Sequence, residues 1–210
     1  VGWVGAAPAF GFAAALSIIA VVLLAGIYEP SREAAPIRHP VQDIREGAAF
    51  VFHHALLRPV FVTQFIFNTG SFLILAVIVP YAVRRLGLSA SGVGTTLAMY
   101  GVGMVIGALL ATRVMKRLPF GTVIALGPVI GFVAAIVMAL TTAVPTPLLA
   151  GLSFFLLGVG PILWVISTTT LRQSVTPPRL LGRVSAIHIM RHGARPLGAA
   201  LGALVGGLYG

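Results

Sequence analysis

The sequence has no cysteine and very little charge. Only 9% of its 210 residues are charged, whereas 58% are hydrophobic. Without cysteine the chain can form no disulfide, no thiolate-metal site and no cysteine nucleophile. A soluble domain carries about a quarter charged residues. The composition therefore excludes an ordinary globular surface and indicates a membrane protein.

The sequence contains long runs of apolar residues. A hydrocarbon core of about 30 Å requires roughly 20 residues of helix to cross it. Inside lipid the backbone amides of an isolated apolar segment can form hydrogen bonds only within that segment, so the segment must be a helix. The sequence thus predicts an all-α, polytopic membrane helix bundle with six transmembrane helices. The predicted spans are Gly2–Tyr28, Val60–Val83, Gly92–Thr112, Phe120–Thr142, Pro147–Leu171 and Val184–Tyr209.

Acidic residues are scarce, with 4 against 14 basic residues, and the net charge is +10. In a soluble chain that charge would suggest a nucleic-acid partner, but here the basic residues cluster in alternate connections. The basic connections at 29–59, 113–119 and 172–183 are therefore predicted to be cytoplasmic, and we expect no nucleic-acid partner. Nearly all basic residues are Arg, which is typical of a GC-rich bacterial genome, so we expect a multi-pass protein of the bacterial cytoplasmic membrane.

The connection at 29–59 is the longest and holds every acidic residue of the chain. Its apolar residues recur at intervals of three and four, which predicts a short amphipathic helix at the membrane interface. An ordinary connector helix is the alternative. The stripe consists of Val41, Ile44, Ala48, Val51 and Ala55.

Polar residues inside the spans are candidate substrate-binding residues, because a polar group facing lipid is costly and one facing a water-filled cavity is not. Gln64, Asn68 and Ser71 share one helical face. Hydrogen bonding to a neighbouring helix is the alternative for them. Trp164 and Thr168 share a face of a later span, where they predict either a hinge or ordinary packing.

The last predicted span carries His188, Arg191 and Arg195 at intervals of three and four. Two guanidinium groups on one stripe can bind an anionic or multiply oxygenated solute through paired donors, although snorkelling toward headgroups is an alternative. His188 and His192 could share a metal, but no third ligand is evident beside them. We therefore predict no metal site and no cofactor.

Glycines recur at every fourth residue in several spans, including Gly103 with Gly107 and Gly198 with Gly202. This spacing lets helix backbones approach closely and predicts tight helix packing.

Three motifs, in order along the chain, carry a family resemblance. They are Asp43–Gly47 with Phe50–Phe52 and Leu56–Pro59, then Gly107–Arg117, then Leu181–Val184. They are similar to the linker, the loop between helices 8 and 9, and the start of helix 11 in drug and siderophore exporters of the major facilitator superfamily. The second motif has Ala111 and Thr112 where an acidic residue is usual.

The resemblance implies a fragment that covers helix 6 to helix 11 of a twelve-helix transporter. Residues 1–28 would be the last helix of the amino-terminal half, 29–59 the cytoplasmic linker, and 60–210 a carboxy-terminal bundle lacking its final helix. It also implies a gating loop, formed by Gly107, Arg113, Lys116 and Arg117.

The function that this resemblance implies is secondary active transport of a small solute by alternating access, as an exporter coupled to an ion such as the proton. No phosphate-binding loop of an ATPase is present. Two alternatives stay open, an intramembrane enzyme and a non-transporting scaffold or receptor. The first would need a nucleophile with its base, or a metal site, within the bilayer. The second would lack a continuous polar path between helices 7, 8, 10 and 11.

Overall fold

The structure is a computed structural model that describes residues 6–26 and 40–209, without the side chains of Ala6, Ala9, Pro40, Arg191 and Tyr209. The chain divides into two compact units, Val1–Arg38 and His39–Gly210. Every regular element within the described residues is helical. The first unit contains one helix, α1 (Ala6–Ala25), whose sequence is almost wholly apolar.

The second unit contains four helices that are long and apolar enough to cross a membrane. They confirm four of the six predicted spans. Their lengths are 28, 28, 21 and 29 residues. They are α3 (Leu57–Arg84), α4 (Ala90–Arg117), α5 (Phe120–Leu140) and α6 (Pro147–Val175), and they follow the shorter α2 (Pro40–His53).

The membrane-length helices extend past several predicted boundaries. α4 continues to Arg117 and α6 to Val175, because main-chain hydrogen bonding does not stop where hydropathy falls. Ser89 starts α4, and its side chain accepts a hydrogen bond from the Gly92 amide at 3.2 Å, which satisfies one of the unpaired donors at the helix start. Hydropathy therefore located the spans but underestimated the helices.

The sixth predicted span is not one continuous helix. It is divided into α7 (Leu181–Met190), a 3₁₀ turn at Arg191–Gly193, and α8 (Ala194–Tyr209). The physical reason is Pro196, which has no N–H to donate to the carbonyl of residue 192 and whose ring would clash with it. Proline is tolerated in the first turn of a helix, and Pro196 therefore lies in the first turn of α8, which begins at Ala194.

Close glycine contacts hold these helices together. A Cβ built on Gly103 of α4 would lie 2.1 Å from the Phe155 carbonyl oxygen of α6. A Cβ on Gly198 of α8 would lie equally close, at 2.1 Å, to the Thr69 carbonyl oxygen of α3. No side chain can occupy either place, which confirms the prediction of tight packing through glycines.

Helix α2 packs against α7 and α3. Of its predicted stripe, Val51 is 0% exposed and joins a core with Leu57 and Val184, whereas Val41 is 77% exposed. Ala55 follows the end of the helix and is exposed. The middle of the stripe therefore packs on the bundle, and the placement of α2 at the membrane interface stays a prediction.

Two carboxylates of α2 also contact one arginine of α7. The Arg183 guanidinium lies 2.9 Å from the Asp43 carboxylate and forms a second ion pair with Glu46. Gly47 of α2 lies against the backbone of α7, because a Cβ at Gly47 would stand 2.8 Å from the Arg183 carbonyl oxygen. Charge, close backbone contact and the buried Val51 thus fix α2 on the start of α7.

Replacing Arg183 with Gln should loosen α2. Ion pairs that are partly exposed contribute about 0.2–1 kcal/mol each, so the loss of two should speed amide exchange in α2 roughly two- to thirtyfold. Hydrogen-exchange mass spectrometry of the detergent-solubilised protein measures this. The matched control is Arg179→Gln, because Arg179 is exposed in the 3₁₀ turn at Pro178–Leu180. Equal exchange in both variants would show that the ion pairs do not fix α2.

Candidate functional site

A cavity of about 500 Å³ opens between α3, α4, α6 and the start of α8. One side of it is polar in an otherwise apolar bundle. Its lining is formed by Gln64, Phe67, Asn68, Ser71, Phe72, Ile74 and Leu75 of α3, Leu97 and Tyr100 of α4, Phe154, Leu157, Pro161, Trp164 and Val165 of α6, and His192 and Arg195.

The polar stripe of α3 lies along this cavity. Gln64, Asn68 and Ser71 all line it, as one helical face should. Gln64 is 2% exposed, and its amide nitrogen donates to the Thr168 hydroxyl at 3.0 Å, so it also bonds to a neighbouring helix. The Asn68 amide nitrogen donates to the Gln64 carbonyl at 2.8 Å, and its side-chain oxygen stays toward Arg195. The cavity and the interhelical interpretations therefore both apply to this stripe.

Trp164 and Thr168 occupy different positions in α6. Thr168 lies behind the cavity wall and donates to the Trp164 carbonyl at 2.6 Å, while it accepts from Gln64. Trp164 lines the cavity, is 3% exposed and meets the Phe67 ring edge-on at 5.2 Å. Gly127 of α5 lies directly behind it, where a Cβ would stand 2.3 Å from the Trp164 Cβ. The indole is thus held rigidly in the wall.

The indole N–H of Trp164 is a buried donor. Among the residues that the structure describes, it has no hydrogen-bond partner. Buried polar groups in proteins are nearly always bonded, so this donor is an exception in the packing of the wall.

Arg195 lies in the first turn of α8 and lines the same cavity. Its Nε is 3.5 Å from the Asn68 side-chain oxygen, a long contact. Its guanidinium carbon lies over the Phe72 ring, 5.1 Å from the centroid, in a cation–π arrangement. Neither neighbour carries a charge. The side-chain carboxylates within residues 6–26 and 40–209 are Asp43 and Glu46, and both contact Arg183 instead.

The structure does not bring His188 to Arg195. His188 is 3% exposed and packs edge-on against Phe61 at 5.8 Å, outside the cavity lining. The turn at 191–193 breaks the helical phase on which the predicted stripe depended. The side chain of Arg191 lies outside the part of the chain that the structure describes. His192, which the stripe left out, does line the cavity.

The connection predicted at 113–119 is helical as far as Arg117, so its predicted length is wrong, while the gating role of its residues stays a prediction. α4 runs to Arg117, so Arg113 and Lys116 are exposed on its last turns and only Leu118 and Pro119 connect it to α5. Gly107 is a packing residue, because a Cβ there would lie 2.5 Å from the Ile162 side chain of α6. The basic residues therefore form the last turns of α4, after its apolar part has ended.

Sequence reasoning missed the aromatic part of the cavity. Phe67, Phe72, Tyr100 and Phe154 line it but carry no polar signal within apolar helices. One pattern could have identified two of them, since Phe67 and Phe72 flank the Asn68 and Ser71 positions on α3 and share their face.

Apolar helices of membrane length around a partly polar cavity indicate a multi-pass membrane protein. The family model of the Major Facilitator Superfamily matches residues 1–203, and the chain belongs to this superfamily of membrane transporters. Neither a curated protein nor a solved structure matches it.

Proposed function

We propose that the protein is a secondary active transporter, an exporter of a small solute that works by alternating access in the bacterial cytoplasmic membrane. The single observation that carries the proposal is the cavity between α3, α4, α6 and α8. It joins polar groups of α3 to a guanidinium of α8, in helices whose other faces are apolar. A polar surface of this kind inside a membrane bundle is expected where a solute passes.

The proposal includes the architecture that the motifs imply. In it the six predicted spans are helices 6 to 11 of a twelve-helix protein, with residues 1–28 closing the amino-terminal half and 29–59 forming the linker. The exporter direction is supported by the resemblance of Asp43–Gly47 and Gly107–Arg117 to exporter motifs. Arg113, Lys116 and Arg117 then act at the cytoplasmic end of α4 as gating residues.

Rocking of the helices supplies the conformational change in this mechanism. Glycine faces such as Gly103 against Gly158 present smooth backbone surfaces that can slide, and Pro161 removes one main-chain hydrogen bond just before Trp164. Thr168 accepts from Gln64, and this bond joins α6 to α3 across the inner wall of the cavity. Movement of α6 would therefore change the width of the cavity at Trp164.

In this mechanism a coupling proton is carried either by a histidine of this chain or by a residue of the helices outside it. None of the membrane-length helices α3 to α6 contains a carboxylate. His192 lines the cavity and His188 is buried close to it along the chain, and imidazole changes charge near neutral pH. A proton on His192 would alter the charge that the solute meets.

Cysteine accessibility tests alternating access on a chain that has no cysteine of its own. Ser71→Cys, in the cavity lining, should react with a membrane-impermeant maleimide added to either side of sealed vesicles, because the cavity opens alternately to both. An imposed proton gradient should shift the ratio of the two rates. Ser153→Cys is the matched control, since Ser153 is 0% exposed and donates to the Ala134 carbonyl at 2.7 Å. Reaction of Ser71→Cys from one side only, whatever the gradient, would overturn the proposal.

A further inference from the structure

We propose that the cavity selects an amphipathic organic anion, whose negative group lies at Arg195 and whose flat apolar body packs against the aromatic wall at Trp164. This inference rests on the proposed function, because it names the class of solute that the cavity takes. Charge and shape each support it independently.

The charge argument starts from Arg195. Its only described polar contact is the Asn68 side-chain oxygen at 3.5 Å, and the Phe72 ring is its other neighbour. A guanidinium presents five donors in a planar fork, so most of its hydrogen-bonding capacity is left for a ligand. Among the residues that the structure describes, no carboxylate lines the cavity. A cationic solute would therefore meet like charge there, and an anion would meet an available counter-ion.

The start of α8 supports the same preference. α8 begins at Ala194, directly after the turn that carries His192, and both His192 and Arg195 line the cavity. The dipole of a helix places partial positive charge at its start. An anionic group beside Arg195 would thus be near a helix start as well as a guanidinium.

The shape argument comes from the rings. Phe67, Phe72, Tyr100, Phe154 and Trp164 line one cavity of about 500 Å³. Aromatic walls pack favourably against flat apolar surfaces through offset and edge-on contacts. The rings favour a flat apolar group and the guanidinium favours a negative one. A ligand with one planar end and one charged end meets both requirements.

The Trp164 indole belongs to the same wall. It lines the cavity and is 3% exposed. Its nitrogen is buried away from the cavity, so a solute would meet the face or edge of the ring.

The test uses Trp164 itself as the reporter. The chain has 2 tryptophans, Trp3 and Trp164, so Trp3→Phe leaves only the indole in the cavity wall. Quenching of its fluorescence is titrated with three isosteric probes, 4-bromobenzoate, 4-bromobenzamide and 4-bromobenzylammonium. We expect the anion to bind at least about tenfold more tightly than the cation, with the neutral amide between them.

Variants of Arg195 separate charge from folding. Arg195→Gln should abolish the difference between the three probes, whereas Arg195→Lys, which keeps the charge, should retain the order with a smaller spread. Arg84→Gln is the control, because Arg84 is exposed at the end of α3 and does not line this cavity. Equal quenching by all three probes in the Trp3→Phe protein, or tightest binding of the cation, would overturn the inference.

The outcomes also separate this inference from the proposed function. If Ser71→Cys reacts from both sides but the probes show no charge preference, the solute class is wrong and the transporter stands. If the anion binds selectively but Ser71→Cys reacts from one side only, the transporter is wrong and the anion site stands.

Discussion

Replacing Arg195 with Gln should reduce transport by about ten- to a hundredfold while leaving membrane insertion and abundance near normal. A hydrogen bond to a charged partner contributes about 1.5–3 kcal/mol, and each 1.4 kcal/mol is tenfold. Insertion should not suffer, because a charge near the bilayer centre costs about 2.5–3.5 kcal/mol that Gln does not incur. Gln can still bond to Asn68, which Arg195 contacts at 3.5 Å. The measurement is the transport rate of any solute that the unchanged protein moves, normalised to protein in the membrane.

Two further variants control this prediction. Arg84→Gln removes the same charge from an exposed position at the end of α3 and should transport normally. Arg195→Lys keeps the charge but loses the planar contact with Phe72, so partial activity is expected. Normal transport by Arg195→Gln would mean that Arg195 serves the structure only and that the solute binds elsewhere.

Replacing Gly158 with Ala should destabilise the protein by about 1–3 kcal/mol, the usual cost of forcing extra atoms into a filled interior. The new Cβ would lie 2.2 Å from the Tyr100 carbonyl oxygen and 2.8 Å from the Met104 amide nitrogen. Both are backbone atoms of α4, so relief requires that α4 and α6 separate. Thermal unfolding of the purified protein in detergent measures the loss.

Gly101→Ala is the matched control on α4. Nothing lies within 4 Å of a Cβ at Gly101, and alanine favours a helix over glycine by roughly 0.5–1 kcal/mol. The same chemical change should therefore leave stability unchanged or raise it. A similar melting temperature for the two alanine variants would show that the close approach of α4 and α6 is not what stabilises the bundle.

Hydropathy predicted the membrane-length helices well because the requirement behind it is simple. Buried amides in lipid must bond within their own segment, so an apolar run of sufficient length specifies both a helix and its approximate place. The start of α5 at Phe120 and that of α6 at Pro147 agree with prediction. The far ends of α4 and α6 do not, since a helix continues into water until it meets a cap or a proline. Leu118 and Pro119 end α4 in this way.

The cavity was harder to predict because side-chain direction depends on an unbroken helical phase. Within α3 the phase is intact, so Gln64, Asn68 and Ser71 reach one cavity as their spacing predicts. Between His188 and Arg195 the phase is lost in the 3₁₀ turn at Arg191–Gly193, which precedes Pro196, and the two residues separate. Proline in a membrane helix can be absorbed as a kink or can end the helix, and spacing alone does not distinguish these outcomes. Aromatic lining residues such as Phe154 are as apolar as their neighbours in the helix, so no polar periodicity marks them in the sequence.

The attachment of α2 to α7 determines where this polypeptide can be divided into separately produced pieces. Val51 is fully buried with Val184, and Asp43 pairs with Arg183, so α2 belongs structurally with the helices that follow it. A division between Arg38 and His39 keeps each compact unit whole. A division after His53 would leave α2 on the wrong piece and expose the apolar and charged surface of α7 that it covers. The junction of a split reporter, a fusion partner or an exchange of halves between related transporters should therefore be placed before α2. The linker helix then stays with the carboxy-terminal piece.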